Sequence, residues 1–575
     1  MDKKIFSKAL IKDSIPFCTA GVIFIFITGL TKALSAKGNL DYTAGFTAGL
    51  TVFSILFGIL IGFLINLLIV LGKKYIKFSK KEAGKKETGL AFLIAFILLL
   101  LSILPYFLAY YPGILAYDSY VQIGQIYTGE YNEHHPLIHT LLIKFSILAG
   151  VMLFKNLNAG IAIYTGIQSI LLSAAFAYGI SLLYKKVGRV FAAVMLFILM
   201  VFPFNAFMAV SVTKDVFFTA FFLLMILVTT ELLGDEKVGR KQLDRILILV
   251  FSGLGCTAYR NNGKYAIVFA ICVCALTQLV LLISNKKDER KVLRFNLLVV
   301  MITLTVSMII GIGLLKVASV SLNAVQGDRR EMLSVPIQQL ARTYVYHSGS
   351  GIVAEDDNTL DERSKALINE FLLNESALLY KPSISDPVKR NTNTWVVTNK
   401  TKEFISVYTG LFFKHPDDYI NAFLALNAGF LDFTDETHAH INENPEFRGL
   451  GYVQTRWEEN TLTPLGFSKD SKWNSLFEKL ENWSNDNSYL KIPVLKYIFM
   501  PGIYFWLFVF ASVYAIKEKK FKAFFALSLI AGYYLTMLFG PCVQLRYVYP
   551  VMTVVPFMFL IFGREQVTVN KNEKR

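Results

Sequence analysis

The sequence predicts an all-α polytopic membrane protein with about twelve transmembrane helices and one soluble domain outside the bilayer. Three observations carry that prediction. Uncharged apolar blocks such as 44–72 and 89–110 are long enough to cross roughly 30 Å of hydrocarbon as helices. Basic residues cluster in the short segments between the blocks. The stretch 319–492 breaks the pattern, being rich in Asn, Asp, Glu and Thr and holding four of the five tryptophans, Trp395, Trp457, Trp473 and Trp483.

In chain order, spans are expected at 15–34, 44–72, 89–110, 160–184, 190–204, 216–233, 246–259, 264–284, 295–318, 493–516, 523–541 and 547–563. Residues 1–88 hold the first two spans and a basic loop. Met1 to Asp13 is basic and no small-residue cleavage site follows, so the first apolar run is expected to stay as a span. Lys3, Lys4, Lys8 and Lys12, with the seven lysines from Lys73 to Lys86, put the N-terminus and that loop in the cytoplasm. The loop 111–135, which has no Lys or Arg, then lies outside. Segment 136–154 is apolar but interrupted by His139, Thr140 and Lys144, and it can span or lie flat. Lying on the outer surface as a juxtamembrane helix keeps Lys185, Lys186, Arg189, the 285–294 cluster, Lys517 to Lys522 and the C-terminal tail cytoplasmic, and that topology is adopted. Residues 89–318 thereby form a transmembrane core, 319–492 an extracytoplasmic domain of undetermined fold with helical pieces at 360–373 and 417–430, and 493–575 the last spans and tail.

Composition removes several functions. With 54% apolar residues and a mean hydropathy of +0.48, an ordinary soluble protein is excluded. The net charge of +16 follows from topology and does not call for nucleic acid. Cys18, Cys256, Cys272 and Cys274 lie in or beside apolar runs and Cys542 is alone in a loop, which leaves no disulfide framework or zinc-binding cysteine spacing.

The adopted topology gathers costly polar groups on the outer face: Asp118, the His134-His135-Pro136 turn, Lys214-Asp215, Arg260 and Arg546. A charge at membrane depth costs at least about 2.5–3.5 kcal/mol, so such groups line a cavity or pair with one another. Asp118 stands among five tyrosines, Tyr117 and Tyr120 beside it, and reads either as a general base facing an amphiphile or as a wet-loop carboxylate. Lys214 and Asp215 read as a site pair or as a helix start capped by Thr213 or Asp215. Arg260 and Arg546 offer guanidinium forks suited to phosphate, or they snorkel to the interface. A divalent cation at Asp118 and His135, helped by Glu130 and Glu133, requires the loop to fold around it.

Taken in order, an outer-loop Asp, HPL opening an amphipathic helix, P-x(11)-D ending at Asp215, G-L-x(5)-R-x-N-G around Arg260, and RYVYP at Arg546 make a pattern. It resembles the GT-C superfamily of polytopic glycosyltransferases, above all the protein mannosyltransferase and aminoarabinose transferase relatives, over roughly residues 89–285. Those relatives carry D or DE and then HPPL or KPPL in the first loop, whereas here the positions read Asp118-Ser119 and His135-Pro136-Leu137. The whole length, including Ser334 to Arg342 (SVPIQQLAR), resembles a bacterial membrane family described only as a domain of unknown function.

The resemblance implies a GT-C-like core in a bacterial plasma membrane. It also implies a polyprenyl-phosphate-linked sugar as donor, and a cell-envelope glycan, teichoic acid, lipid or protein as acceptor. Asp118 is implied to deprotonate the acceptor and Asp215 to support the site. Lys214, Arg260, Arg546, His135, Tyr117 and Tyr120 would bind substrate. A lipid-linked glycan polymerase, a transporter or flippase of a lipid-linked or anionic solute, and an envelope receptor are the competing readings. Transport predicts internal repeats, and none is evident in the sequence.

Overall fold

The computed structural model describes residues 8–40, 43–76, 78, 82–115, 118–234, 237–283, 290–435 and 462–563. Helices α1 (Lys8–Lys37) and α2 (Ala44–Tyr75) form an antiparallel hairpin. Its contact is set by Gly58 and Gly62, one turn apart, lying against the backbone of α1: a Cβ on Gly62 would come within 2.3 Å of the Phe17 carbonyl oxygen. Small residues at this spacing let two helix backbones touch, which replaces the hydrophobic drive that lipid does not supply.

The core follows with α3 (Lys85–Ala109), α4 (Asp118–Thr128), α5 (Leu137–Phe154), α6 (Leu157–Lys186), α7 (Arg189–Val201), α8 (Pro203–Val210), α9 (Lys214–Leu232), α10 (Leu243–Tyr259), α11 (Asn261–Ile283) and α12 (Lys291–Ser321). Helix α9 is its axis. Val216, Phe218, Phe222, Leu223 and Ile226 are all buried, and a helix apolar on every side belongs inside a bundle. Charged residues mark its two ends, Lys214 and Glu231, seventeen residues or about 26 Å apart, close to the thickness of a hydrocarbon core.

Among the described residues, ten helices are long and apolar enough to cross a membrane. Nine coincide with expected spans and the tenth is α5. The other three expected spans fall on bent or shorter helices. Segment 190–204 is broken at Phe202, where Pro203 starts α8 and the axis bends by 57°. Segment 246–259 belongs to the 17-residue α10, whose first turn carries Asp244 and Arg245. Segment 493–516 begins in 3₁₀ turns and becomes a helix only at Pro501.

Helix α5 turns into α6 through Lys155, in the left-handed region, and Asn156, whose side chain caps α6. Gly150 meets Gly160 so closely that a Cβ on Gly150 would lie 2.1 Å from the Gly160 nitrogen, while His139 bonds Tyr164. Helix α5, expected to lie along the outer surface, is itself long and apolar enough to cross a membrane.

Beyond α12 the chain leaves the bundle. Helices α13 (Ser334–His347), α14 (Glu362–Phe371), α15 (Thr401–Lys414) and α16 (Pro416–Leu426) share a core of Ile337, Leu340, Ile368, Phe371, Val407 and Leu411. The expected helical pieces at 360–373 and 417–430 fall on α14 and on α16 with the short turn after it. The SVPIQQLAR motif is an anchor. Gln338 donates to the Lys381 carbonyl (2.7 Å) and Gln339 to that of Tyr419 (3.1 Å). Arg342, fully buried, pairs with Asp418 (3.1 Å) and donates to the Gly38 carbonyl and the Asn39 side chain just after α1. Residues 462–490, by contrast, lean on the transmembrane core: Asn158 bonds Ser468, Tyr110 donates to Glu481, and Trp483 stacks on Phe207. Trp395 and Trp473 are exposed, and Trp457 lies outside the described residues. Helices α17 (Asn474–Asn485), α18 (Pro501–Lys517), α19 (Phe521–Leu538), α20 (Leu545–Met552) and α21 (Met558–Phe562) complete the fold.

The topology is tested by cysteine labelling in intact cells. Ser119, beside Asp118, is fully buried, whereas Glu130 and Lys86 are exposed. A cysteine at Glu130 is expected to react with an impermeant thiol reagent and one at Lys86 to stay unlabelled until the membrane is opened. Reversed labelling overturns the orientation.

Candidate functional site

Two chain segments far apart in sequence are brought together by a short extended pairing. The Ile114 N–H donates to the Val210 carbonyl and the Val212 N–H to the Ile114 carbonyl, both at 2.9 Å. Gly113 permits the approach, since a Cβ there would sit 2.7 Å from Thr165. The pairing sets the starts of α4 and α9 side by side, so that Asp118 opens one helix and Lys214 the other. Thr213 is the N-cap of α9, accepting from the Asp215 N–H at 3.3 Å.

Arg260 is held in extended backbone between α10 and α11. Gly263 is what lets the two helices close on that break, because a Cβ would fall 2.1 Å from the Cys256 carbonyl oxygen. The guanidinium lies over the rings of Phe218, Tyr533 and Tyr547, 5.1–5.8 Å from their centres. Arg546 sits in the first turn of α20, its Nε donating to Gln544 at 2.5 Å. Four helices, α4, α9, α11 and α20, thus begin at one place, with their partly positive ends converging.

The charged side chains form a chain of ion pairs. Lys214 Nζ is 2.5 Å from Asp118 Oδ2, and Arg546 Nη1 is 3.6 Å from the same oxygen. That nitrogen is also 3.7 Å from Asp215 Oδ2, while Arg260 Nη1 is 2.5 Å from Asp215 Oδ1. His135 Nδ1 lies 3.1 Å from Lys214 and 3.9 Å from Asp118. Burial and the neighbouring ammonium push the His135 imidazole down to about 3, so it is neutral at physiological pH. Burial alone would raise the Asp118 carboxyl, but Lys214 and then Arg546 hold it well below the usual carboxylate range. Three cations against two carboxylates leave the cluster with a formal charge of +1.

Below Asp118 runs a polar network that sequence reading missed. Gln122, one turn along α4, donates to Thr140 (2.7 Å) and is bonded to His139 Nδ1 (2.9 Å). His139 Nε2 meets the Tyr164 hydroxyl (2.6 Å), which also lies 3.1 Å from Gln168 Oε1. Gln168 in turn donates to the Ser211 carbonyl (2.7 Å), three residues before Lys214. The network therefore ties both carriers of the ion-pair chain to α5 and α6. The sequence signal was present in Gln122 four residues after Asp118 and in a histidine within an apolar helix.

The cluster opens into a cavity of about 910 Å³, walled on the far side by Arg330, Asp386, Lys389 and Arg390 from the 319–492 stretch. That wall is fastened by the Ser385 N–H donating to the Pro541 carbonyl at 2.9 Å, a few residues before Arg546. Asp118, His135, Lys214, Asp215, Arg260 and Arg546 all line the cavity. Tyr120 does not; it packs against the apolar cluster of Leu115, Ile123 and Tyr164. Tyr117 lies outside the described residues. The Lys214 ammonium stands against Asp118 and His135 at the suggested cation position; Glu133 lines the cavity, and Glu130 is exposed and does not.

Fold and site together define a multi-pass helical membrane protein with a charged cavity at one end of its bundle. The chain belongs to the family described as "Family of unknown function (DUF6020)", whose model matches residues 126–575. No curated protein and no solved structure matches it. His135, Lys214, Asp215, Arg260 and Arg546 fall inside the matched stretch; Asp118 lies eight residues before it.

The depressed Asp118 carboxyl can be read directly by infrared difference spectroscopy. Between pH 7 and pH 4 the wild-type protein should show no protonated-carboxyl band that Asp118→Asn abolishes. In Lys214→Met the strongest partner is gone, the carboxyl titrates at higher pH, and such a band should appear. A wild-type Asp118 band in that interval would contradict the ion-pair geometry.

Proposed function

We propose that this protein is a GT-C-type membrane glycosyltransferase that moves a sugar from a polyprenyl-phosphate donor to a cell-envelope acceptor on the outer face, with inversion. The observation that carries the proposal is the +1 charge of the Lys214–Asp118–Arg546–Asp215–Arg260 chain at four converging helix starts. A phosphodiester linking lipid to sugar bears one negative charge and would neutralise it. The order of motifs along the sequence points the same way.

The ion pairs also suggest how a poor base becomes a good one. With Lys214 and Arg546 against it, Asp118 is too weak a base to take a proton from an alcohol. An arriving phosphate competes for the same cations, and as they turn toward it the carboxylate is released and its proton affinity rises. The acceptor hydroxyl then gives its proton to Asp118 while its oxygen bonds the anomeric carbon. The bond from that carbon to the phosphate oxygen breaks, and the electron pair leaves with the lipid phosphate. Lys214, Arg260 and Arg546 meet the negative charge that develops there. Asp215 keeps Arg260 and Arg546 in register.

The test is mass spectrometry of envelope glycans and polyprenyl-phosphate sugars from a deletion strain carrying wild type or Asp118→Asn. The proposal expects a missing sugar decoration and an accumulated lipid-phosphate sugar with the Asn variant, whose transfer rate falls by about 10²–10⁴-fold. Wild-type glycans with Asp118→Asn would remove the base and favour transport or binding. A loss of glycan chain length with the single-sugar decoration intact would favour block polymerisation.

A further inference from the structure

A second cluster of ligating side chains lies away from the cavity, where α13 and α16 meet the end of α1. His347, at the end of α13, His415, just before α16, and Asp418, in its first turn, each bring one ligand atom to within 4.8 Å of the others. None of the three lines the cavity.

We propose that His347, His415 and Asp418 bind one divalent zinc-type cation that fastens α13 to α16. The donor set is two imidazoles and a carboxylate, which suits zinc and its borderline neighbours and not magnesium or calcium, whose sites are built from oxygen.

The surroundings of the ligands favour this reading. His347 Nδ1 is 2.8 Å from Asp357 Oδ1, and that oxygen also accepts from the Thr359 hydroxyl at 2.6 Å and the Thr359 N–H at 3.1 Å. Nε2 is hydrogen-bonded to Asp418 Oδ2, and a metal that takes this nitrogen replaces the bond and releases its proton. Asp418 Oδ1 accepts from Arg342 Nε at 3.1 Å, leaving Oδ2. Two of the three ligands, His347 and Asp418, thus have their outer atom held by a partner of its own, the arrangement that orients metal-bound histidines and carboxylates elsewhere.

Distances decide how much must move. His347 Nε2 and Asp418 Oδ2 are 2.9 Å apart, and two ligands on a tetrahedral zinc with bonds of about 2.0–2.1 Å stand about 3.3 Å apart. Opening that pair by a few tenths of an ångström admits the ion. His415 has the longer path: its ring lies 3.9 Å from that of His347, centre to centre, and takes no hydrogen bond from the described residues. It is half-buried and turns without breaking a bond. Water completes the coordination from the open side. Because Asp418 and Arg342 also hold Gly38 and Asn39, the ion would secure the exit of α1 as well.

The experiment uses the full-length chain in detergent with a tag free of histidine, stripped with EDTA and titrated with zinc against a chromophoric chelator. One zinc per wild-type chain is expected, with a rise in melting temperature on binding. Asp357→Asn should weaken affinity about 10–100-fold. His415→Ala should lose the site and the rise, while its metal-free melting temperature stays at the wild-type metal-free value. A wild-type chain that binds no zinc overturns the proposal. So does a His415→Ala chain that keeps wild-type stoichiometry and affinity, which would move the ion to another site such as His134 and His135.

Discussion

A single guanidinium bridges the two halves of the site. Arg546 Nη1 stands within 4 Å of both Asp118 and Asp215, carboxylates that come from different helices and are themselves held by Lys214 and Arg260. Two buried carboxylates this close would repel one another and drive one to take up a proton. The bridge sets a positive charge between them, and it fixes where three elements must be: the start of α4, the start of α9 and the short α20. The breaks in the backbone follow from the same constraint. Pro203 interrupts the chain before α9, Gly263 folds α10 against α11, and Pro550 lies within α20. The break at Arg260 costs helix hydrogen bonds and returns a helix start at the cavity, which Asn261 and Asn262 line.

The polar network under Asp118 has the complementary task. An ion-pair chain has little directional preference, and long side chains can satisfy it in many ways. Gln122, His139, Tyr164 and Gln168 are short, buried and fully engaged, so they fix the backbone from which Asp118 and Lys214 project. Placement is set below the site, and the freedom to exchange partners is kept at its surface. That division is what the proposed transfer of cations from carboxylate to phosphate requires.

Much of this was legible in the sequence because membranes make charge expensive. Asp118, Lys214, Asp215, Arg260 and Arg546 were each conspicuous as charges beside long apolar blocks, and a topology fixed by lysine clusters brought them to one face. Hydropathy did not disclose the bend at Phe202, because both halves of that segment are apolar. Whether Tyr120 faced the cavity or the core was not legible, because an aromatic near a membrane surface is as well used in packing as in binding. The Gln122–His139–Tyr164 network stayed hidden because its members lie on three helices whose register no single sequence discloses. The role of Arg342 was illegible for the same reason, its partners Gly38, Asn39 and Asp418 being separated from it by long stretches of chain.

The opposite end of α9 shows that buried charge alone does not make a site. There Glu231, nearly buried, accepts from Tyr178 at 2.6 Å and stands 3.5 Å from Arg245 and 3.9 Å from Lys185, which also reaches Glu82 at 3.4 Å. Two acids meet two cations in that cluster, the sum is zero, and none of the four lines the large polar cavity. It is what a charge cluster looks like when its work is to end helices at the membrane boundary. The Asp118 cluster, about 26 Å away along the same helix, differs in both respects: it carries one positive charge more than its own acids can balance, and it opens into about 910 Å³ of space whose far wall sets Arg330, Lys389 and Arg390 beside Asp328, Glu331 and Asp386. An unbalanced charge facing an open cavity is costly to fold and is relieved by an anion that arrives from outside. The arrangement therefore argues for a bound anionic substrate and against a role confined to the architecture of the bundle.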